Sequence, residues 1–127
     1  MAGSIALTSS RVGSLNKYQV VWTSDASGDV TVTAFDVATG VLEQVRFTPN
    51  TDASQPSGAY DVTILDAQGI DILAGVGANL SSAASTVHVP AVSTTYQRVL
   101  EAGALTPTVA NAGNAKQGTI VLLVRPV

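Results

Sequence analysis

"KYQVVWTSDASGDVTVTAFDVATGVLEQVRFTP", residues 17 to 49, reads as three strands joined by two tight turns. In its middle third, Val30, Val32 and Ala34 alternate with Asp29, Thr31 and Thr33. That period of two sets one face of a strand on a core and the other in water. Each connection, "SDASG" and "DVATG", has an aspartate at or beside its start and a glycine at its end. This chemistry suits a hairpin built on a type I turn closed by a left-handed glycine. The stretch predicts a three-stranded antiparallel meander ending at Pro49.

Residues 50 to 59, "NTDASQPSGA", are a surface loop by composition. The next run, "YDVTILDAQGIDILAG" at 60 to 75, predicts a second hairpin around Asp66 to Gly69. A left-handed bulge at Gly69 sets Leu65 opposite Asp71, Ile64 opposite Ile72 and Thr63 opposite Leu73. Val62, Ile64 and Ile72 then face the core. Asp61 and Asp71 fall on the opposite face, with Leu65 and Leu73 beside them. An outward apolar pair next to acids marks Leu65 and Leu73 as candidate subunit contacts.

Residues 1 to 16 are a candidate N-terminal arm or first strand, and 74 to 86 a Gly/Ala/Ser-rich loop or arm with room for a short helix from Asn79. "TVHVPAV" reads as a strand interrupted by Pro90, which confines that position to an edge or bulge. "TTYQRVLEAG" mixes helix formers with strand formers, and its Thr, Tyr and Val tip it toward strand. "LTPTVANAG" and "GTIVLLVRPV" predict a last hairpin, whose second member is apolar on both faces and therefore central. The fold class is all-β: one domain over 1–127, a sandwich or barrel of about eight or nine short antiparallel strands.

The chain of 127 residues carries a net charge of −3, and its six Lys and Arg are scattered singly. No basic stripe exists to neutralise phosphates, so nucleic acid is not an expected partner. The longest aliphatic run, "IVLLV" at 120 to 124, is too short to cross a bilayer, and the first residues lack a basic leader. A chain made in the cytoplasm with no membrane partner is expected. With 12% charged and 46% hydrophobic residues, it is expected to share surface with partner subunits.

Several chemistries fail on residue count. Without cysteine there is no thiolate metal site and no thiol nucleophile. His88 is the one histidine, and no G-x-S-x-G elbow accompanies it. Asp61, Asp66 and Asp71 lack the alternate spacing and central glycine of a calcium loop, and turn chemistry accounts for them better. Asp25, Ser27 and Asp29 could ligate a cation weakly, but suit a hairpin turn. Glu43 and Glu101 are the remaining carboxylate pair that could meet in space, yet the aromatic platforms of sugar sites are scarce. Trp22, Phe35, Phe47 and Tyr60 are expected in the core. No catalytic, cofactor-binding or metal residue is assigned, and no enzyme is expected.

Taken together, "YDVTILDAQGIDILAG", "GANLS" and "NAGNAKQGTIVLLVRP" resemble segments of small β-rich virion proteins of tailed bacteriophages. The likeness runs over residues 17 to 125. It implies a capsid decoration, or cement, protein: a non-enzymatic homotrimer on the capsid surface, bridging copies of the major capsid protein. Residues 1 to 13 and the loops 50–59 and 74–86 are the expected contacts. The alternatives are a tail-tube, tail-tip or head-completion subunit, and a β-sandwich module binding a ligand or carbohydrate.

Overall fold

The computed structural model describes the backbone of residues 3–31, 34–88, 91–92, 96–100 and 103–126. Its strands are β1 (Ser4–Val12), β2 (Leu15–Thr23), β3 (Val30–Thr31), β4 (Phe35–Val37), β5 (Gly40–Pro49), β6 (Asp61–Leu65), β7 (Thr86–His88), β8 (Ala91–Val92), β9 (Tyr96–Leu100), β10 (Gly103–Ala110) and β11 (Gln117–Pro126). Nine of these eleven described strands have three residues or more, and every pairing is antiparallel. The fold is all-β and sandwich-like.

Two sheets of unequal width face each other. The wide one has five lanes: β1, β2, β11, β5, and an outer lane shared by β7 and β9, with the short β8 beyond β9. The narrow one has three, because β3 and β4 lie along one edge of β10 and β6 along the other. Between them lies a single core. Tyr18, Val20 and Trp22 of β2, Val45 and Phe47 of β5, and Ile120 and Leu122 of β11 meet Val30, Phe35, Val62, Ile64, Leu105 and Val109 of the narrow sheet.

The expected meander is corrected by these pairings. β2 has only two edges, and β1 and β11 occupy both. Nothing is left for the strand that follows, so the "SDASG" turn instead carries the chain across to the narrow sheet. The turn itself forms as its chemistry requires. Asp25 N donates to Asp29 O at 2.9 Å, and Gly28 N donates to Asp25 O at 3.2 Å. Loop 112–116 then anchors it, through Ala112 N to Gly28 O at 2.9 Å and Ala115 N to Asp25 O at 3.3 Å. Buried Ser24 holds the same junction, accepting from Lys116 N at 2.8 Å and donating to the Gly113 carbonyl. The "last hairpin" is likewise no hairpin: β10 and β11 lie in different sheets. β11 is nevertheless central, as its two apolar faces predict.

Residues 1–16 contain a full strand. β1 pairs with β2 over nine residues without a bulge, from Ser4 opposite Thr23 to Val12 opposite Leu15. The two-residue turn between them is Gly13–Ser14, with φ of 61° at Gly13. Glycine at the first central position is the mark of a II′ hairpin turn.

Trp22 illustrates how tightly the covered part is packed. It is 1% exposed, its ring centre lies 5.6 Å from that of Tyr60 at a tilt of 47°, and its ring lies on Gly118 of the neighbouring β11, where a Cβ would come within 2.5 Å of Cζ2. Only glycine admits the indole there.

Candidate functional site

The hairpin predicted at 60–73 begins as expected. Leu65 and Asp71 form a bridge, Ile72 N donates to Ile64 O at 2.8 Å, and Asp66 N donates to Ile70 O at 2.9 Å. Gly69 has φ of 81°, the left-handed bulge. Val62, Ile64 and Ile72 are in the core.

Past Ile72 the chain leaves the strand, and the cause is Asp71. Its Oδ1 accepts from Ile64 N at 3.1 Å and Leu73 N at 3.0 Å, and its Oδ2 accepts from Gly75 N at 3.2 Å. These bonds fold residues 71–78 into successive turns, Ala74 N to Asp71 O, Val76 N to Leu73 O and Ala78 N to Gly75 O. No helix starts at Asn79; it holds a left-handed φ of 54°. Gly77 lies directly on β6: its carbonyl accepts from Val62 N at 2.7 Å, and a Cβ would come within 2.1 Å of Val62 O.

Leu73 is therefore corrected. It is 0% exposed, a core residue rather than an outer-face one, because the turn reverses the alternation that would have pointed it outward. Leu65 does lie outside, at 36% exposure, with Ile70 beside the turn at 53%.

Each of the three acids is occupied by backbone or amide donors. Asp66 Oδ1 accepts from Gln68 N at 2.9 Å and Ile70 N at 3.0 Å. Asp61 takes Asn79 N on Oδ1 and Asn111 Nδ2 on Oδ2, both at 2.8 Å. Carboxylates used in this way organise loops. Asp25 does the same in its own turn, accepting from Ser27 N at 2.8 Å and Asp29 N at 3.0 Å. The Asp29 amide above all, with those of Ser27 and Gly28, holds the Asp25 carboxyl below its ordinary range. Among the described residues no three acids or histidines stand close enough to hold a metal ion.

The other residues singled out are apart. His88 sits on β7 opposite Val45, its ring edge-on to Phe47 at 6.3 Å. Glu43 pairs with Arg125 at 2.6 Å on the surface, and Glu101 lies outside the described residues. Trp22, Phe35, Phe47 and Tyr60 are all buried. Burial pushes the Tyr60 phenol up to about 12, since charge is disfavoured in an apolar surround.

What the molecule offers at its surface is the part of the wide sheet that the narrow sheet leaves bare. Two extra lanes at about 4.8 Å each leave roughly 10 Å uncovered. On one side this is β1, exposed at every residue except the half-buried Ile5. Leu7 pairs with buried Val20 and points to the same side, yet is 42% exposed. Arg11, four residues on, shares that side. Ser9, Ser10, Arg11, Asn16, Lys17 and Tyr18 line an open groove of about 260 Å³ there. On the other side, Thr86 and His88 of β7 are half-buried opposite Phe47 and Val45, while exposed Val87 stands opposite Arg46 on the outer face. Local composition hid the β1–β2 hairpin, although a Gly-Ser pair between two extended runs is a recognised hairpin signal.

Compared with protein-family models, with curated proteins and with solved structures, the chain matches none.

Proposed function

We propose that this chain is a non-enzymatic virion structural protein of a tailed bacteriophage: a capsid decoration protein that associates with itself and seats on the major capsid protein. The observation that supports the reading is the mismatch of widths, five lanes over three. The overhanging lanes present backbone edges and apolar side chains at the flanks, where a subunit joined to several neighbours needs them. Multivalent seating makes individually weak contacts cumulative, because each later contact forms at high effective concentration. The resemblance of the sequence to small β-rich virion proteins adds to this. A binding module for sugars fits less well, since the five described aromatic side chains are buried rather than displayed.

A tail-tube subunit is the second reading, favoured by one feature. Such a subunit needs a long hairpin to pair with its neighbours, and β1–β2 is one, nine residues on each strand. Immunogold electron microscopy of virions with antibodies against this chain separates the two. Label over the heads is expected; label confined to the tail would transfer the protein to the tube or connector, and no label on virions would overturn both.

A further inference from the structure

We propose that two copies of this chain pair edge to edge through β1, antiparallel about a twofold axis at Thr8, so that their wide sheets run on as one. This specifies the self-association in the proposed function and rests on that part of it. β1 is the longest continuous sheet edge among the described strands: nine residues, paired on one side with β2 and ending the wide sheet on the other. Such an edge is a template for a further strand, and proteins blunt theirs with proline, lysine, a bulge or a covering segment. On the free side of β6 this chain does so: Val62 N is taken by the Gly77 carbonyl and Ile64 N by the Asp71 carboxylate. β1 is left open. Its sequence, "SIALTSSRV", has no proline, lysine or acid, it runs without a bulge, and it is exposed at every residue but the half-buried Ile5.

The hairpin decides which backbone groups β1 offers. Val12 and Leu15 flank the two-residue turn, and the turn's closing bond joins them. Alternation from that pair directs the groups of Ser4, Ala6, Thr8, Ser10 and Val12 to β2 and turns those of Ile5, Leu7, Ser9 and Arg11 outward. A second β1 centred on Thr8 answers all four, with Leu7 opposite Ser9 and Ile5 opposite Arg11 in both directions. Sliding the two strands leaves one of the four beyond the end of its partner. The faces agree as well. The two Leu7 side chains, each 42% exposed in the single chain, become diagonal neighbours on the core side, about 7–8 Å apart and within reach of each other. The two Thr8 side chains meet on the outer side. Arg11, the one charge on β1, does not oppose this. Its guanidinium donates back to Asn16 Oδ1 of its own hairpin at 3.3 Å, and the two copies of Arg11 stand six residues, about 20 Å, apart, well beyond the screening length of about 8 Å. The contact is isologous and closes on itself, giving a pair rather than the trimer that the resemblance implies. One strand edge is a small interface, so the pair is reversible.

The test is sedimentation equilibrium together with cross-linking through introduced cysteines, which the cysteine-free chain keeps unambiguous. The wild type is expected to pass from the 12.9 kDa chain mass to twice that mass as its concentration rises to about 1 mM. Ser9→Pro removes an outward N–H that β2 does not use, and is expected to weaken pairing by about 10-fold or more through two lost bonds per pair. Thr8→Cys places the two thiols across the axis, where Cα atoms are about 4.5 Å apart, within disulfide reach, and is expected to cross-link on mild oxidation. Ala6→Cys and Ser10→Cys are expected to cross-link only when mixed, because each faces the other. A wild type that stays monomeric or forms trimers, a Ser9→Pro chain that pairs as the wild type does, a Thr8→Cys chain that fails to cross-link, or an Ala6→Cys chain that cross-links alone as readily would each overturn the proposal. All of this is read in solution without virions. A monomer whose antibody labels phage heads would overturn the pairing alone, whereas pairing with no label on virions would leave the contact standing and sink the capsid role.

Discussion

β1 and β11 flank the same strand, β2, and pair with it over nine and eight residues, yet one is exposed along nearly its whole length and the other is buried or half-buried at every residue but Arg125. Their bonding to β2 does not distinguish them, although β11 also pairs with β5 while β1 is the end lane. What sets their burial apart is the narrow sheet, which lies over β11 but reaches only the start of β1, where β3 packs beside it and Ile5 joins the core. The residues follow suit: "TIVLLV" in the covered lane, "ALTSSR" in the bare one. In a sandwich with sheets of unequal width, stability resides in the covered lanes, and the outer ones are available for contact.

The largest effects should come from the covered side. Trp22→Ala is expected to cost about 3–5 kcal/mol, and Leu122→Ala about 2–5 kcal/mol, in urea unfolding, through lost apolar contacts and the cavity left behind. If Leu7→Ala on β1 cost as much, the contrast would be broken. Next comes the far edge of the covering sheet. Asp71→Ala leaves the Ile64, Leu73 and Gly75 amides without their acceptor and is expected to cost about 1–3 kcal/mol, with faster amide exchange in 71–78 than in β11.

Two titrations sharpen the same division. The Tyr60 phenol is raised by burial to about 12, so it favours the folded state while neutral. That contribution is full below the unfolded value near 10 and is lost as the pH rises through 12; Tyr60→Phe should flatten this alkaline limb of melting temperature against pH. Asp25 is shifted the other way, so its contribution is present above the unfolded carboxyl value and is lost as the pH falls through the lower folded one. Asp25→Asn should flatten the acid limb, by less, because Asp25 sits at the surface. Smallest of all is Leu7→Ala, expected within about 0.5 kcal/mol of wild type.

Much of this architecture was legible from the sequence, and the exceptions have physical causes. Turn chemistry gave the Asp25 and Asp66 turns, including the Leu65–Asp71 register, because those signals are local. The two-faced apolar run identified β11 as central. Which strand lies beside which was not legible: β2 joins β11 across nearly a hundred residues, and an alternating pattern reads the same whichever neighbour it has. Leu73 was misplaced because the period of two assumes a continuing strand, whereas the Asp71 carboxylate ends it by capping the next amides. The bare ledge was invisible for a related reason, since exposure there depends on the width of a different sheet.

The order of strands along the chain has a kinetic consequence. β11 bridges β2 and β5, so until residues 117–126 are made, the wide sheet is two pieces that share no strand edge. Folding must wait for a closure spanning most of the chain, the long-range pairing that slows β proteins into milliseconds to seconds. During that interval Val20, Trp22, Leu42 and Phe47 lack Ile120 and Leu122, which complete their cluster. Unpaired strand edges and incomplete apolar clusters of that kind are where aggregation competes with folding.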